Sequence, residues 1–499
     1  MRLIKNITLG LAALASVAVT GCSDSYMDLT PTSSVSDVTI SSSVDNIYIA
    51  LNGIHKEMVS QETGYQCLGG LPGFMFSRDW QADDITTHAT PNWYTRMATW
   101  SYVKSESSGY NYSYYRVYYQ WILNANKILE ALETLDKASL NESEQYLYEQ
   151  IKGEALVFRA FAHYDLVQQY AQRYVPGGSN TQDGVIYRTS SEIKEQARES
   201  VENTYKLIEQ DLNEAQTLLQ GKAVYDVNHF DEATVWAWKA RVALTKGEYS
   251  NAALCAEKAI DLAEADGKAL MEGDQLLCGF ADITSDTDEA MYAAMTPDDK
   301  TVYFYSFMAY MSWNFNSSAV RAYSPCINKE LYETMSDTDI RRAWWDPTGT
   351  KAKPKSNYRK DPYQNFKFTA RSTSNAVCDV AFIRLAEMYL IASEAYARAG
   401  QESAANEIFT KFQQTRDPQY TTSTKTGEEF ITEIMNSRRV ELWGEGQRMF
   451  DLKRLNGRIV RDSLSEEAVC GFIEKDASEW VYEIPQHETD YNSLCTSNY

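Results

Sequence analysis

The spacing of apolar residues along the chain predicts a mostly helical protein. In several long stretches, apolar side chains recur at intervals of three and four residues, which places them on one face of a helix. Two other stretches contain Gly, Pro and many aromatic residues without this period, so loop-rich structure is predicted there. The predicted helical scaffold covers about 44–60, 113–266 and 381–456, with long helices at 113–133, 142–171 and 191–219, and the loop-rich insertions cover about 64–109 and 267–380.

Two pairs of predicted helices have the spacing of tetratricopeptide units. Small residues lie where two helices would touch, and Gly247 or Gly400 lies at the turn. Because about three such pairs are needed for a stable stack, the helices between 113 and 219 are expected to supply the others. The predicted fold class is mostly α, with tetratricopeptide-like helix pairs in a right-handed superhelical scaffold and a loop-rich irregular part. Generic helix hairpins remain the alternative interpretation.

The N-terminus has the pattern of an export signal. Two basic residues precede an apolar run at 7–19, which is too short to span a bilayer. The run ends in a Val-Thr-Gly-Cys sequence that resembles the lipobox of bacterial lipoproteins, with Cys22 as its cysteine. We therefore expect a lipoprotein signal peptide at 1–21, lipidation at Cys22 and a polar, lipid-anchored tether over 22–43. An ordinary signal peptide with an incidental cysteine is the alternative.

Composition and charge exclude several classes of protein. The 499 residues include 47 Lys+Arg and 69 Asp+Glu, and the net charge is −22. This balance argues against nucleic acid as a partner, because binding to its phosphates relies on basic side chains. With 44% hydrophobic residues, the chain can fill a core and does not have the composition of a disordered protein.

The cysteine and histidine positions predict neither a metal site nor a cofactor. The cysteines that follow Cys22 include no C-x-x-C pair, and the 5 histidines are scattered singly along the chain. The spacing leaves open one or two disulfides in an exported protein. Cys255 lies on an alanine-rich helical face and is predicted to be a small core residue.

Several motifs follow one another in the order found in a known family. The motifs are GEALVFRAFAHYDL at 153–166, Tyr187-Arg188 followed by 208–212, a helix at 383–395, RRVELWGEGQRMFDL at 438–452, and the C-terminal segment 482–492 with Ile484-Pro485. In the second of these motifs, Tyr187 stands at a position where the family has proline. Together they resemble the SusD/RagB-type nutrient-binding outer-membrane lipoproteins, which are similar to starch-binding proteins.

The resemblance implies a binding protein and not an enzyme. Members of this family capture a glycan outside the cell and deliver it to a SusC-like TonB-dependent transporter, without catalysis and without a cofactor. We therefore expect a single body over 44–499 that is held at the outer membrane by its lipid anchor only and faces the cell exterior. Two alternatives remain. One is the same role for a peptide or another nutrient, and the more remote one is an all-helical glycosidase that uses carboxylates such as Asp79, Asp83 and Asp84.

The ligand site is expected in the two loop-rich stretches. A sugar presents a C–H face that stacks on aromatic rings and a rim of hydroxyls that needs polar partners, so its site should mix both residue types. For Trp80, Trp100 and the Trp344-Trp345 pair, packing against the helices is an equally good interpretation. The candidate ligand residues are Arg78, Asp79, Trp80, Asn92, Trp93, Tyr94 and Arg96 in the first stretch and Tyr305, Trp313 and Asn314 in the second.

Charged residues near the C-terminus are predicted to be structural. Residues spaced three apart on a helix can pair on one face, and such pairs would fasten the C-terminal helix to the body. The pairs are Arg438/Glu441, Glu445/Arg448, Arg448/Asp451 and Asp451/Arg454. A second acidic group has a spacing that would suit Ca²⁺, but a solvated loop is the preferred interpretation. Its members are Asp282, Asp286, Asp288 and Glu289.

Overall fold

The structure is a computed structural model, and it confirms a mostly helical fold with little sheet. The longer helices are α1 (Val44–Glu57), α2 (Gly70–Gln81), α3 (Gly109–Glu133), α4 (Glu142–Tyr170), α5 (Val201–Leu219), α6 (Glu232–Lys246), α7 (Tyr249–Ala265), α8 (Leu385–Arg398), α9 (Glu402–Arg416), α10 (Gly427–Glu441) and α11 (Arg448–Arg454). The residues that the structure describes are 41–61, 64–88, 95–223, 226–295, 306–461 and 472–499.

Shorter elements lie mainly between the long helices. Helical turns occur at Gln66–Leu68, Thr95–Ala98, Lys137–Ser139, Gly273–Leu277, Ile283–Asp286, Met308–Met311, Ser318–Ala322, Lys329–Tyr332, Ile340–Trp344, Ser478–Trp480 and Gln486–Thr489. The strands are β1 (Ile85–Thr86), β2 (Ala290–Ala294), β3 (Cys326–Ile327), β4 (Trp345–Asp346), β5 (Gln364–Asn365), β6 (Val380–Arg384), β7 (Ile459–Val460) and β8 (Phe472–Ile473). They form a four-stranded sheet in the order β1-β3-β5-β4 and the two-stranded sheets β2-β6 and β7-β8.

The long helices form a stack in which each one packs on the next. From α3 to α9, every helix contacts the helix that follows it, while α1 covers α3 and α4. The helix pairs α6–α7 and α8–α9 lie where the repeat spacing predicts them. The helices α3, α4 and α5 extend the stack, as expected from the need for several pairs. Among the described helices, none has both the length and the apolar composition needed to cross a bilayer.

Capping side chains and a glycine define the first helix pair. At the start of α6, the Asp231 carboxylate accepts a hydrogen bond from the Thr234 amide at 2.7 Å, and the Thr234 hydroxyl accepts one from the Asp231 amide at 2.8 Å. The helix ends at Gly247, whose φ is 73°. A Cβ atom there would lie 2.7 Å from Cγ of Pro176, so the turn into α7 requires glycine.

The second loop-rich stretch interrupts the stack in sequence but not in space. Helix α7 ends at Ala265 and α8 begins at Leu385, yet the two helices pack directly against each other. The strands β2 and β6 pair antiparallel, with Ala294 opposite Val380, and so hold the two ends of this stretch together. The chain between α7 and α8 therefore leaves the stack and returns to it at neighbouring positions, and we call it the insertion.

A buried helix lies in the stretch that the sequence predicts to be irregular. All residues of α2 are buried. A helix that is buried on every side needs no polar face, so its sequence lacks the alternation by which a surface helix is recognised. Helix α2 also approaches the chain after α10 closely at Gly446, where φ is 77° and a Cβ atom would lie 2.7 Å from Cα of Met75. The prediction of irregular structure was wrong for these residues.

Two predicted helix starts are also wrong. Helix α5 begins at Val201 and not at residue 191, because the preceding chain is extended and the amide of Gly184 bonds to the carbonyl of Glu199 at 2.7 Å. The Ser200 side chain then caps the helix. Residue Ala381, where a helix was predicted to begin, lies in β6, since pairing with β2 holds this segment extended.

A buried group of charged residues joins the insertion to the helical stack. Arg384, at the end of β6, contacts Glu289, and its guanidinium lies 2.9 Å from Oε1 of Glu441 and 2.7 Å from Oε1 of Glu445. Arg416, at the end of α9, lies 2.8 Å from Oε2 of Glu289 and 2.9 Å from Oε1 of Glu441. The carboxylates of Glu289 and Glu441 are thus each compensated by more than one guanidinium group, although neither is exposed to solvent.

Two further basic residues complete this group. Arg341 lies 2.8 Å from Asp339 and 3.2 Å from Glu441, and the Lys367 ammonium lies 2.7 Å from Glu445. Acidic and basic side chains are equal in number, so their burial leaves no net charge inside the protein. We call the group the charge cluster, and its members are Glu289, Asp339, Arg341, Lys367, Arg384, Arg416, Glu441 and Glu445.

The predicted short-range ion pairs are mostly replaced by long-range ones. Among the predicted pairs spaced three apart, all of which lie in the described part of the chain, Asp451 and Arg454 form an ion pair at 2.8 Å. Arg438 instead contacts Asp451 at 2.8 Å, and Arg448 contacts Asp83 beside α2 at 2.7 Å. The expected fastening of the C-terminal helices therefore occurs, but through partners that are distant in sequence.

The acidic residues near 282–289 do not form one solvated loop. Glu289 is buried in the charge cluster, so that part of the prediction was wrong. Asp282 is accessible and pairs with Arg371 at 2.8 Å.

Cys255 is a buried core residue, as predicted, and none of the cysteines in the described part of the chain forms a disulfide.

We expect Glu441→Gln to lower the free energy of unfolding by about 3–5 kcal/mol, because the amide keeps the shape of the side chain but leaves buried guanidinium groups without their counter-charge. Lys137→Met is the control, since it breaks an exposed pair with Glu149 and should cost less than about 1 kcal/mol. Urea unfolding followed by tryptophan fluorescence measures both values. Similar losses in the two variants would contradict a special role for the charge cluster.

Candidate functional site

The four-stranded sheet brings the two loop-rich stretches together. Strand β1 belongs to the first stretch and pairs with β3 of the second, with Thr86 opposite Cys326. Just beyond β1, the carbonyl of His88 accepts a hydrogen bond from the Arg359 guanidinium at 2.8 Å. The backbone amide of Arg359 in turn bonds to the carbonyl of Arg321 at 2.8 Å. The chain just after β1 therefore lies against the part of the insertion that follows Trp313.

Trp313 forms a half-buried aromatic pair on the insertion. Its indole lies with its centroid 4.8 Å from that of Phe366, and the planes are inclined by 31°. The indole N–H donates to the hydroxyl of Thr369 at 2.9 Å, and the backbone amide bonds to the carbonyl of Phe368 at 3.1 Å. These contacts fix the orientation of the ring while part of it remains accessible to solvent.

A lysine lies over this aromatic pair, and Asn316 follows Trp313 closely in the chain. The Lys353 ammonium lies 6.0 Å from the Trp313 ring centroid and 5.0 Å from that of Phe366, within the range of a cation–π contact. Burial lowers the pKa of Lys353 to about 8. Arg321 donates to the side-chain oxygen of Asn316 at 3.3 Å.

We call these residues, Trp313, Phe366, Lys353, Asn316 and Arg321, the Trp313 surface. Its rings offer an apolar face, and its amide, guanidinium and ammonium groups offer hydrogen bonds at the edge. Such a surface suits a flat ligand that has one C–H face and a polar rim.

The candidate residues of α2 lie inside the protein. The Arg78 guanidinium bonds to Asp165 at 3.0 Å and to the carbonyl of Gly446 at 3.1 Å, and Asp79 accepts a hydrogen bond from the Gly446 amide at 2.8 Å. Trp80 is only 1% exposed. Arg78 and Asp79 thus hold α2 against α4 and the start of α11, and Trp80 is a packing residue. This placement follows the packing interpretation and leaves these side chains no access to a surface ligand.

The other candidates have different positions. Asn314 is buried, and its side chain bonds to both the amide and the carbonyl of Ala370 at 2.8 Å, so it positions the backbone beside Trp313. Arg96 is exposed, with its guanidinium 6.0 Å from the Tyr110 ring. Asn92, Trp93, Tyr94, Tyr305 and the lipidation candidate Cys22 lie outside the described residues.

The remaining aromatic candidates are packing residues. Trp344 and Trp345 are each 1% exposed and contact one another edge to face, with centroids 5.8 Å apart. Trp100 is buried, and its indole N–H donates to the carbonyl of Gln81 at 2.9 Å.

Sequence reasoning did not identify Phe366 and Lys353, which meet Trp313 only through the folding of the insertion. The mixed aromatic and basic segment 351–367 is the signal that could have found them.

The fold and the Trp313 surface define a helical-repeat protein whose insertions carry a mixed aromatic and polar face. One family model, described as starch-binding and associating with the outer membrane, matches residues 25–244. A second, described as the SusD family, matches residues 224–497, which is more than half of the chain. The chain therefore belongs to the SusD family. A comparison with curated proteins gives no match.

Solved structures with similar folds cover nearly the whole chain. A putative sugar binding protein from Bacteroides vulgatus has a TM-score of 0.75 and 23% identity, over 91% of this chain and 98% of that chain. A SusD-like carbohydrate binding protein from the same species has a TM-score of 0.76 and 19% identity, over 91% of this chain and 97% of that chain. A SusD superfamily protein from Bacteroides thetaiotaomicron has a TM-score of 0.75 and 20% identity, over 92% of this chain and 100% of that chain. These matches establish the similarity of fold.

The buried carboxyl of Asp79 gives a prediction for pH dependence. Burial, together with the nearby charge of Asp84, raises its pKa to about 8, although the Gly446 hydrogen bond and Arg78 act in the opposite direction. The folded protein therefore retains a proton that the unfolded chain releases near pH 4, so this group makes folding less favourable as pH rises towards 8. The free energy of unfolding of Asp79→Asn, relative to that of the wild type, should therefore rise by up to about 1.4 kcal/mol per pH unit between pH 4 and 8.

Urea unfolding at several pH values between 4 and 8 measures this difference. Asp83→Asn is the matched control on the same segment. Burial raises the pKa of Asp83, but the Arg448 guanidinium outweighs that effect and the pKa is lowered. Asp83→Asn should therefore be less stable than the wild type by a nearly constant amount above pH 5. An Asp79→Asn difference that did not change with pH would contradict the assignment.

Proposed function

We propose that this protein captures a poly- or oligosaccharide at the cell surface and delivers it to a SusC-like TonB-dependent transporter, without catalysis. The observation that carries the proposal is the Trp313 surface, where accessible rings and polar groups lie side by side on the insertion of a SusD-family fold. A sugar ring would stack its C–H face on Trp313 and Phe366. Asn316, Arg321 and Lys353 would then meet its hydroxyl groups.

Further support comes from the relatives and from the N-terminus. The solved neighbours include proteins described as sugar-binding and carbohydrate-binding. The Val-Thr-Gly-Cys sequence ending at Cys22 supports a lipid anchor at the outer membrane, on the face exposed to the cell exterior. We also propose that the residues outside the described part, Asn92, Trp93, Tyr94 and Tyr305, contribute to the same ligand surface, because His88 lies close to the insertion.

The three carboxyl groups considered for the glycosidase alternative are engaged in contacts inside the protein. Asp83 pairs with Arg448 at 2.7 Å, Asp84 pairs with Arg439 at 2.6 Å, and Asp79 bonds to a backbone amide. All three carboxyl groups are buried. Glycoside hydrolysis needs one carboxyl on either side of an accessible glycosidic bond. These contacts favour a binding role over that chemistry.

Calorimetric titration with a panel of polysaccharides and oligosaccharides tests the proposal. We expect at least one glycan to bind, and Trp313→Ala to weaken that binding about tenfold or more, because the stacking face is removed. Trp236→Ala is the matched control. Trp236 is also half-buried with a lysine over its ring, Lys239 at 4.0 Å, but it lies on α6 away from the insertion.

The outcomes of this titration are distinct. Equal binding by the wild type and Trp313→Ala would remove the Trp313 surface from the ligand site. A complete absence of glycan binding, with binding of peptides in a parallel titration, would replace the glycan by the peptide alternative. Reducing-sugar release from a bound glycan by the wild type would argue for catalysis.

A separate prediction concerns Cys22. We expect Cys22→Ala to prevent acylation and to move the protein from the membrane fraction to the soluble fraction of the cell, since a lipid chain holds a protein by burying its methylene groups. Metabolic labelling with a fatty acid and cell fractionation measure the change. A Cys255→Ala variant is the control because Cys255 is a core residue. Unchanged labelling in Cys22→Ala would contradict a lipid anchor at this position.

A further inference from the structure

Two histidines and a glutamate that are far apart in the sequence meet inside the helical stack. His55 lies on α1, Glu154 on α4, and His229 in the segment that leads into α6. Nε2 of His55 is 3.0 Å from Oε2 of Glu154, and Nδ1 of His229 is 2.9 Å from the same oxygen. The three side chains are nearly or fully buried. We call them the His-Glu-His cluster.

Each member has a second partner that fixes its orientation. The other ring nitrogen of His55 lies 3.1 Å from the Tyr292 hydroxyl, and the other ring nitrogen of His229 lies 3.4 Å from the Tyr48 hydroxyl. Each imidazole thus contacts Glu154 through one ring nitrogen and a tyrosine hydroxyl through the other, so with an ion bound its N–H would point to the tyrosine and the lone pair of the inner nitrogen would face the ion.

The carboxylate of Glu154 is held by two further donors. Its Oε1 accepts a hydrogen bond from the side chain of Gln150 at 3.0 Å, and its Oε2 accepts one from the backbone amide of Phe230 at 3.2 Å. Outer partners of this kind are characteristic of residues that bind a metal ion.

A cleft of about 640 Å³ opens beside the cluster. Both histidines line it, together with Tyr48, Asn52 and Asp226. The cleft gives an ion a route to the cluster and leaves room for a further ligand, such as water, on the open side. The carboxylates of Glu154 and Asp226 would together balance the charge of a divalent cation.

We infer that His55, Glu154 and His229 form a binding site for a divalent transition-metal ion of the Zn²⁺ type, with its fourth position open to the cleft. Imidazole nitrogens and a carboxylate oxygen are the ligands that such ions take, and two histidines with one glutamate leave a position free. The three ligand atoms lie within 4.8 Å of one another. In a tetrahedral site with bonds of about 2.0–2.1 Å, ligand atoms are roughly 3.3 Å apart, so each histidine nitrogen needs to move from the Glu154 oxygen by only a few tenths of an ångström.

The metal would also have a structural effect. It would connect α1 and the segment before α6 to the centre of α4, in place of the hydrogen bonds that Glu154 accepts from the two imidazoles. Because metal binding favours the folded form, the melting temperature should rise with metal concentration. The inference rests on the His-Glu-His cluster and does not depend on glycan binding.

Titration of the whole, chelator-treated chain with Zn²⁺ tests the inference. We expect one ion per chain by calorimetry, and a visible absorption band of a four-coordinate site when Co²⁺ is used instead. Glu154→Gln should weaken Zn²⁺ binding by more than about 100-fold, because it removes the charged ligand. His487→Ala is the control, since it removes a histidine that stacks on Tyr112 outside the cluster and should leave binding unchanged.

A second variant covers the case in which Glu154→Gln does not fold. Tyr292→Phe keeps all three ligands and removes the hydroxyl next to His55, so it should weaken Zn²⁺ binding about tenfold with the same stoichiometry. The inference would be overturned if the wild type bound no stoichiometric Zn²⁺, or if Tyr292→Phe bound it as tightly as the wild type. Equal affinity of a folded Glu154→Gln variant would overturn it as well, and the cluster would then be a hydrogen-bonded triad only.

Discussion

Burying ionised side chains is unfavourable unless each one meets an opposite charge, and the charge cluster meets this condition where the insertion joins the helical stack. Glu289 and Arg341 come from the insertion, whereas Arg416 and Glu441 come from the ends of α9 and α10. Neither set could be buried without the other. The cluster therefore couples the correct docking of the insertion to the assembly of the stack, and the Trp313 surface depends on that docking for its position.

The sequence predicted those parts of the fold in which a helix has one apolar and one polar face. Helices α3, α7 and α9 are of this kind. Helices α4, α6 and α8 are buried on most sides and were predicted from their length and repeat spacing, with Gly247 and Gly400 indicating the turns. The same reasoning failed for α2, which is buried on every side and so has no alternating pattern. It also failed for the ion pairs, because spacing along one helix does not reveal a partner on another, as with Arg448 and Asp83.

The candidate site was predictable in part. Mixed aromatic and polar composition selected Trp313 and also Trp80, but only the former is accessible in the structure. Composition cannot separate the two cases, because a large aromatic residue serves equally well in a core and in a ligand site. The contact of Trp313 with Phe366 and Lys353, and the meeting of His55 with His229, arise from long-range packing that no local pattern encodes.

The adjacency of α7 and α8 has a consequence for how such proteins diversify. Since the chain departs from the stack and rejoins it at neighbouring points, the intervening segment can change in length or sequence without shifting the register of the helices on either side. A longer loop between fixed ends is entropically cheap, at about 0.6 kcal/mol for each doubling of its length. The insertion could thus be exchanged between related proteins as one module, provided that the acquired segment brings the counter-charges for Arg416 and Glu441.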